Sequence, residues 1–463
     1  MARVQTLSWI AGGLGIIACP IPGLSKDAAN DGRNNIILII TDQQTADAMS
    51  CVGNNDLNTP GMDMLAEDGI LFSRSYVSYP LSGPSRASLM TGKYPVEIGV
   101  KDNQNTFDYK HLENSIGVRL KESGYDCLYA GKWHVAVEEI NLPQHVETGF
   151  IKISDMDDPN LVENCVPHLE QKRDNPLFLV ASFLNPHEIC EYARFQFLPT
   201  GNIAEPAIED CPQLPYNAAI PAYYPEAVLL NRQADPRSYP TASYSDDDWR
   251  RYLNAYYRLV ERVDAEIVKL IDQLKKNNLY ENSLILFVSD HGDAVGAHRG
   301  NQKRTLQEEV IRVPFIVKVP KSKNKNIIND EALINTSLDI YQTIADYAGI
   351  GEDKSLQGKS VRPIVEGKVK TLHEEIYIET LLNGVNTRGW AVIGKDFKYV
   401  LYRNFRNNEQ LFDLKTDSYE MKNLAVDKAY NKDLLKFRTK LYNWALNNND
   451  RMLKNLLRYT EKE

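Results

Sequence analysis

Polar side chains that could bind a cation follow apolar segments of the chain, at the point where each segment ends. Asp42 and Gln43 follow the first segment, and Asp290 and His291 follow a later one. His187 comes after a third segment, directly behind a proline. In open α/β sheets, ligands bind outside the carboxyl ends of the strands, so we expect these side chains to meet at one site. Each has a simpler alternative, because Asp42 could cap a helix and Asp290 could be a turn residue.

The donor set favours a hard divalent cation over zinc. Asp42, Gln43, Asp290 and His291 offer mostly carboxylate and amide oxygens, which Ca²⁺ and Mg²⁺ prefer. Zinc is disfavoured because the sequence shows no cluster of three His or Cys ligands. His291 is a borderline member of the set and could stand beside the ion instead of binding it.

The segments that must position these residues alternate between strand-like and helix-like patterns. Continuous apolar runs, typical of strands buried on both faces of a sheet, occur at 35–40, 176–183, 283–289 and 314–317. The clearest amphipathic segment covers 247–276, with apolar residues at helical spacing. The pattern predicts an α/β fold, with a large central mixed, mostly parallel sheet flanked by helices on both faces.

Changes of composition along the chain predict its organisation. We expect a targeting segment at 1–30, a catalytic domain at 31–370 and a smaller subdomain at 371–463 with an antiparallel sheet and a closing helix. Within the catalytic domain, 190–246 is rich in Pro, Tyr and Asn, and so long an aperiodic stretch is either a functional lid or loosely ordered. The small subdomain is predicted from short strand-like segments at 376–378, 390–393, 398–402 and 410–414.

The first residues have the features of an export signal. Arg3 begins a short basic region, and the apolar run from Leu7 to Ala18 is too short to span a bilayer. The residues before Cys19 are similar to a bacterial lipoprotein cleavage box, in which Cys19 would carry the lipid anchor. An ordinary secretory peptide, cut somewhat later, is the alternative. Either signal predicts an exported protein, periplasmic or lipid-anchored at the bacterial envelope.

The composition excludes some partners. A net charge of −9 over 463 residues leaves no general basic surface for nucleic acid. An anionic substrate would therefore have to be held by local positive charge. The six cysteines include no Cys-x-x-Cys pair, which argues against a zinc site or a disulfide framework. Pairing among Cys165, Cys190 and Cys211 stays open.

Residues 82–92 form the most informative motif, Ser-Gly-Pro-Ser-Arg-Ala-Ser-Leu-Met-Thr-Gly. It resembles the sulfatase signature, in which Cys or Ser is followed by any residue, Pro, Ser and Arg, and then by Thr-Gly. Further blocks resemble the same family in the same order: Asp42-Gln43, Gly131-Lys132-Trp133-His134, Pro186-His187, Ser289-Asp290-His291-Gly292, Lys303, Arg312-Val313-Pro314, and 410–414 with Glu420 and Asn423-Leu424. Because this ordered set covers nearly the whole mature chain, the sequence resembles the type I, formylglycine-dependent sulfatases of the alkaline phosphatase superfamily.

The resemblance implies a hydrolase of sulfate monoesters, a sulfuric ester hydrolase. Ser82 would be oxidised after synthesis to formylglycine (3-oxoalanine), and a serine at this position resembles the bacterial class matured by an anaerobic-type radical-SAM enzyme. Ca²⁺, or Mg²⁺ in its place, would be the cofactor. Its ligands would be Asp42, Gln43, Ser82, Asp290 and His291.

The same resemblance implies catalytic roles for the other motif residues. Arg86 and Lys132 would offset negative charge on the hydrated aldehyde and the sulfate. His134 would be the base that releases the sulfate from the enzyme. His187, with Lys303, would contact sulfate and protonate the departing oxygen.

The substrate implied by the resemblance is a sulfated glycan of glycosaminoglycan, mucin or algal origin. We expect an exo-acting enzyme whose pocket is walled by 190–246 and the C-terminal subdomain. Arg299, Arg304 and Arg388 could bind a sugar carboxylate or a neighbouring sulfate. His298 and Arg299 could equally be exposed loop residues.

Two other functions stay open. A phosphate or phosphonate monoester hydrolase of the same superfamily could use position 82 as its nucleophile. A two-metal phosphatase would need a second ligand set, which the sequence does not offer beyond Asp293 and scattered histidines. A non-catalytic glycan-binding homologue would be expected to lack some of the four residues Lys132, His134, His187 and Lys303, which are all present.

Overall fold

The structure, a computed structural model, describes residues 33–103, 108–135 and 147–460. Its centre is a β-sheet whose middle strands are buried on both faces. The strands are β1 (Asn35–Asp42), β2 (Ile70–Phe72), β3 (Ser75–Tyr76), β4 (Asp126–Gly131), β5 (Ile151–Ser154), β6 (Leu177–Pro186), β7 (Ser283–Ser289), β8 (Phe315–Lys318), β9 (Ile327–Asn329), β10 (Ile334–Asn335), β11 (Ile376–Leu382), β12 (Thr387–Ile393), β13 (Phe397–Tyr402) and β14 (Glu409–Asp413). The predicted targeting segment, with Arg3 and Cys19, lies outside the described residues.

Eight of these strands form one sheet in the order β5-β4-β6-β1-β7-β8-β2-β9. β1 pairs in parallel with β6 and β7, and β4 pairs in parallel with β6. β8 runs antiparallel to β7 and β2, so the prediction of a mixed, mostly parallel sheet is confirmed. The order places the carboxyl ends of β4, β6, β1 and β7 side by side at one edge.

Helices cover both faces of this sheet. The α-helices of the described residues, including those of the C-terminal part, are α1 (Pro60–Glu67), α2 (Ser82–Thr91), α3 (Pro95–Ile98), α4 (Ile116–Glu122), α5 (Asp158–Leu169), α6 (Ile189–Ala193), α7 (Glu226–Ala234), α8 (Asp246–Lys276), α9 (Glu308–Ile311), α10 (Thr336–Tyr347), α11 (Arg362–Val365), α12 (Asn431–Asn447) and α13 (Arg451–Thr460). Side chains of β1 alternate between the faces. Leu38 and Ile40 pack in the cluster that contains α2, α4 and α10. Ile37 and Ile39 pack in the cluster that contains α1, α5 and α8.

The C-terminal part has its own core. β11, β12, β13 and β14 form a four-stranded antiparallel sheet, as the sequence predicted. One face of this sheet packs against α12 and α13, with Trp390 and Leu401 from the strands meeting Phe437, Leu441 and Leu457 from the helices. This small layered unit completes the predicted α/β architecture.

The segment 190–246 contains more structure than its composition predicts. It includes most of α6 and all of α7. Arg250 of α8 donates hydrogen bonds to the carbonyl oxygens of Ile208, Cys211 and Pro212, which ties the segment to the long helix. Cys211, and likewise Cys165 and Cys190, carry free thiols. Among the described residues, no helix combines the length and apolarity needed to cross a bilayer.

Candidate active site

Four adjacent strands deliver the polar residues to one edge of the sheet. Asp42 is the last residue of β1, and Lys132, His187 and Asp290 each follow directly after β4, β6 and β7. Because these strands are neighbours and parallel, their carboxyl ends place the four side chains together. Ser82 arrives from a different direction, as the first residue of α2.

Asp42 is surrounded by positive charge. Its Oδ2 lies 2.6 Å from Nζ of Lys132 and 3.1 Å from Nη2 of Arg86. Burial acts to raise the pKa of this carboxyl, but the nearby positive charges, led by Lys132 and joined by Arg86 and Lys303, hold it well below its usual range. Oδ1 of Asp42 is buried and has no hydrogen-bond partner among the described residues. An ionised carboxylate with one such oxygen is typical of a metal ligand.

Asp42, Asp290 and His291 form a group whose ligand atoms all lie within 4.8 Å of one another. Nδ1 of His291 is 2.9 Å from the carbonyl oxygen of Gly292, which can only accept, so the proton lies on Nδ1. Nε2 then directs its lone pair towards the carboxylates. Burial holds the pKa of His291 well below its usual range, which keeps the ring neutral. Two carboxylates and a neutral imidazole fit a divalent cation.

Ser82 contacts this group directly. Its hydroxyl oxygen lies 3.0 Å from Nε2 of His291 and 3.3 Å from Oδ2 of Asp42. The side chain is 1% exposed, although it stands at the start of a helix. Behind it, the backbone N–H of Gly83 donates to Oδ1 of Asn103 over 3.0 Å, which fixes the first turn.

Arg86 lies one helical turn after Ser82 and bridges both carboxylates. Its Nε donates to Oδ2 of Asp290 over 2.8 Å, in addition to the contact with Asp42. Nη1 donates to the carbonyl oxygen of Lys132 and to Oγ of Ser182, at 2.9 and 2.7 Å. The guanidinium therefore links α2 to the ends of β1, β4, β6 and β7, which suits its planar set of donors.

His134 and His187 complete the polar cluster as neutral bases. Burial lowers the pKa of His134 to about 3, with the charge of Lys132 acting in the same direction. Burial, with the charges of Lys303 and Lys132, also lowers the pKa of His187 well below its usual range. Imidazoles that are neutral at physiological pH can accept a proton during a reaction.

Gln43 connects the cluster to Lys303. The side-chain amide of Gln43 donates to Oδ2 of Asp293 over 2.7 Å, and its oxygen accepts from Nζ of Lys303 over 2.8 Å. The backbone N–H of Gln43 donates to Oδ1 of Asp290 over 3.1 Å. Because the side-chain oxygen accepts from Lys303 in this structure, the metal-ligand role predicted for Gln43 depends on the sequence alone.

Two residues of the site, Ser182 and Tyr252, carried no distinct signal in the sequence. Ser182 lies within β6, and its hydroxyl donates to the carbonyl oxygen of Lys132 over 2.8 Å. Tyr252 lies within α8 and donates to both oxygens of Asp293 at 3.1 Å. In the sequence, Ser182 and Tyr252 look like ordinary residues of a strand and a helix, because their contacts with the site depend on how those elements pack together. Asp293 was considered in the sequence only as a possible ligand of a second metal, although its place two residues after His291 already put it beside the site.

The residues predicted as sugar contacts make ion pairs within the protein. Arg299 lies 2.6 Å from Asp246, and Arg304 lies 2.7 Å from Asp102. Arg388 is held between two carboxylates, Glu379 at 2.9 Å and Asp450 at 2.8 Å.

His298 differs from these arginines because it is buried. Its Nδ1 accepts from Nε2 of Gln307 over 2.8 Å, which leaves Nε2 to donate to the carbonyl oxygen of Tyr419 over 3.2 Å. The structure therefore assigns His298 a packing role rather than a place on an exposed loop.

Comparisons with known proteins agree with this geometry. The family model described as Sulfatase matches residues 34–350, and the model of the C-terminal part of N-sulphoglucosamine sulphohydrolase matches 296–446. A Delta 4,5-hexuronate-2-O-sulfatase of Bacteroides thetaiotaomicron is 28% identical over 436 residues, which cover 90% of each chain. A solved 2-O GAG sulfatase has a TM-score of 0.79 and 26% identity, over 90% of this chain and 93% of that one. The phosphonate monoester hydrolase of Agrobacterium radiobacter shares the fold, with a TM-score of 0.70 and 20% identity over 90% and 96% of the two chains.

Proposed function

The chain belongs to the sulfatase family and is a sulfatase, and from this premise we propose that it desulfates saccharides through a formylglycine formed from Ser82. One observation carries the mechanism. Oγ of Ser82 lies 3.0 Å from Nε2 of His291 and 3.3 Å from Oδ2 of Asp42, so a group at this position touches two members of the candidate metal group.

The chemistry that we propose needs two groups that the polypeptide does not itself provide. A hydrated aldehyde at position 82 would supply two hydroxyls on one carbon, one to attack sulfur and one to lose its proton when sulfate leaves. A bound Ca²⁺ or Mg²⁺ would lower the pKa of the attacking hydroxyl and polarise a sulfate oxygen. Asp42, Asp290 and His291 would hold the ion, and position 82 would lie beside it.

The residues of the chain would bind and orient the sulfate and move protons. Lys132 and Arg86 already neutralise Asp42, and we propose that they also offset the charge of the sulfate. His134 is neutral because its pKa is lowered to about 3, so it can take the proton whose loss releases the sulfate. His187 and Lys303 would face the departing oxygen. The ammonium group of Lys303 would supply the proton directly, and His187 would do so once the bound sulfate has favoured its protonated form.

A sulfated saccharide is the substrate class that the relatives favour. The hexuronate-2-O-sulfatase and the 2-O GAG sulfatase carry this class in their names, and their similarity extends over nine-tenths of this chain. We propose exo action, in a pocket walled by 190–246 and the C-terminal subdomain. In support, Nδ2 of Asn217 within that segment donates to the carbonyl oxygen of Tyr419 over 3.3 Å, which joins the two walls.

Mass spectrometry of the native protein tests the proposed modification. The peptide that contains Ser82 is expected to be lighter by about two hydrogens than the unmodified peptide, because the alcohol is oxidised to an aldehyde. Fragmentation should place the loss at Ser82 and leave Ser85, in the same peptide, unchanged. Unmodified Ser82 in an active native sample would overturn the mechanism.

Matched substrates test the activity itself. The enzyme should hydrolyse an aryl sulfate in preference to the corresponding aryl phosphate. With sulfated saccharides as substrates, it should release sulfate from the chain ends. A preference for the phosphate would favour the phosphonate-hydrolase alternative. Release from internal positions of a polymer, with none at the ends, would contradict exo action.

Maturation and export complete the proposal. We propose that an anaerobic-type radical-SAM enzyme oxidises Ser82 and that the protein is then exported to the bacterial envelope. The apolar run before Cys19 supports export, either with a lipid at Cys19 or after cleavage of a secretory peptide. Coexpression with and without such a maturase, followed by the same mass measurement, tests the first step.

A further inference from the structure

Asp293 is a buried carboxylate next to the active site that contacts neither the candidate metal group nor Ser82. It is 0% exposed. Its Oδ2 accepts from Nε2 of Gln43 over 2.7 Å and from the backbone N–H of Gln302 over 3.1 Å. Its Oδ1 accepts from the backbone N–H of Val295 over 2.8 Å, and the hydroxyl of Tyr252 is shared by both oxygens. So many donors to one carboxylate fix its position firmly.

The first consequence concerns the side chain of Gln43. An ionised carboxylate only accepts hydrogen bonds, so Gln43 must present its NH₂ group to Asp293. The amide oxygen of Gln43 is then forced to face the other way, where it accepts from Nζ of Lys303 over 2.8 Å. The negative charge of Asp293 thus determines that the ammonium group of Lys303 meets the amide oxygen of Gln43 and not its NH₂ group.

The second consequence concerns the backbone that carries Lys303. Gln302, the residue directly before it, has a φ of 68°, and Gln43 has a φ of 72°. Both values lie in the left-handed region that non-glycine residues seldom adopt, and such strain persists only where the surroundings enforce it. Asp293 binds both strained residues, one through its side chain and the other through its backbone N–H.

We propose that Asp293 is a positioning residue that fixes Lys303 at both ends, through the backbone at Gln302 and through the side chain of Gln43 at the ammonium group. The inference deepens the proposed function and rests on it, because Lys303 is there assigned to the sulfate and the departing oxygen. It also gives Gln43 a role that does not require it to bind the cation.

Asp293→Asn is the variant that tests the inference. The asparagine keeps the shape of the side chain but replaces one acceptor oxygen with an NH₂ group. In one orientation of the asparagine side chain, its NH₂ group faces the donors of Gln43 and Gln302. In the other orientation, it faces the backbone N–H of Val295. Asp264→Asn is the matched control, since Asp264 is 1% exposed and accepts from the backbone N–H groups of Gly61 and Met62, away from the site.

Amine acetylation measures the position of Lys303 without any turnover. Peptide mass spectrometry after brief acetylation should show Lys303 reacting several-fold faster in Asp293→Asn than in the wild type and in Asp264→Asn. Lys415, whose side chain is 67% exposed, should react equally in all three proteins. An unchanged rate at Lys303 would overturn the inference, even if the protein proved to have no sulfatase activity.

A double-variant cycle then measures the functional coupling. Asp293→Asn is expected to lower kcat on a sugar sulfate on the order of 10²-fold, the cost of a small misplacement of a catalytic group. The loss should be smaller on 4-nitrophenyl sulfate, whose departing oxygen needs less help from Lys303, whereas general destabilisation would affect both substrates equally. In the Lys303→Ala background, Asp293→Asn should add little. Independent, multiplied losses would contradict the positioning role, and a wild type inactive on all sulfates would instead reject the proposed function.

Discussion

Asp42 uses its two carboxylate oxygens differently. Oδ2 contacts Lys132 and Arg86, whereas Oδ1 is buried without a hydrogen bond from the described residues. Burying an unpaired carboxylate oxygen costs free energy, so its retention indicates a ligand role. The cations on the other side keep the carboxylate ionised, which is the form that binds a metal.

Chelation tests this role of Asp42. Removing divalent ions with EGTA is expected to abolish sulfate release, and Ca²⁺ should restore it. Calcium should also stabilise the folded protein by about 2.7 kcal/mol at a concentration a hundred times its Kd, because the unfolded chain has no assembled site. Thermal unfolding with and without Ca²⁺ measures this gain. Asp42→Asn should show almost none of it, and an equal gain in that variant would contradict the ligand assignment.

Arg86→Lys tests whether the shape of the guanidinium matters as well as its charge. Lysine cannot reproduce the contacts with Asp42, Asp290 and Ser182, so buried groups lose their partners. We expect unfolding in urea to show a loss of about 3–5 kcal/mol. Arg362→Lys is the control, because that side chain is 42% exposed, and its cost should stay within about 0.5 kcal/mol. Similar costs for both variants would reject the special role of Arg86.

At the scale of the elements, two contacts set the shape of the site edge. α8 reaches the loop after β1 through Tyr256, whose hydroxyl donates to the carbonyl oxygen of Gln43 and accepts from the backbone N–H of Thr45, both at 2.8 Å. β4 approaches β6 so closely at Gly131 that a Cβ there would lie 2.0 Å from the carbonyl oxygen of Ser182. This close approach allows the carbonyl oxygen of Lys132 to reach Arg86.

Gly131→Ala is therefore expected to disturb the site through the backbone. Gly131 has a φ of 92°, and Gly124 has a φ of 88°, where an added Cβ would meet no described atom nearer than Nη2 of Arg33 at 3.6 Å. Both alanine variants should lose about 1–2 kcal/mol from the left-handed conformation. Gly131→Ala should lose about 1–3 kcal/mol more from the clash, together with activity. Equal stability and activity of the two variants would show that the approach of β4 to β6 is not tight.

At the scale of the whole molecule, buried polar contacts join the C-terminal sheet to the catalytic part. Lys398 of β13 is 0% exposed and lies 3.1 Å from Glu308 and 2.5 Å from Glu420. His298 adds a contact from the catalytic part to Tyr419, and burial lowers its pKa from 6.5 to about 4. These contacts hold the C-terminal subdomain against the part of the chain that carries the active site.

Acid is expected to weaken this connection. The unfolded chain binds a proton at His298 near pH 6.5 and the folded protein only near pH 4, so stability falls as the pH falls through this window. Between pH 7.5 and pH 5 the loss from His298 is about 2 kcal/mol. Urea unfolding at both pH values measures the free energy of unfolding. Its decrease on acidification should be smaller by this amount in His298→Gln than in the wild type. The same acid sensitivity in variant and wild type would contradict the assignment.

Periodicity and motif spacing were sufficient to predict the main elements. The apolar runs became β1, β6, β7 and β8, and the segment 247–276 became α8. β4 was not predicted, because Asp126–Gly131 has no β-branched residue and its apolar run is short. The polar residues at the strand ends could be named from the sequence because a parallel sheet always exposes its carboxyl ends at one edge.

The α/β class, the sulfatase motifs and the candidate residues from Asp42 to Lys303 could all be identified from the amino-acid sequence. Those features depend on local spacing, which the chain carries within each segment. Three contacts became evident only in the folded chain: Ser182 meets Arg86, Asp293 orients Gln43 towards Lys303, and Arg388 is paired within the protein. The reason is physical, since a hydrogen bond between residues 96 or 250 positions apart depends on strand order and register, which no local pattern contains.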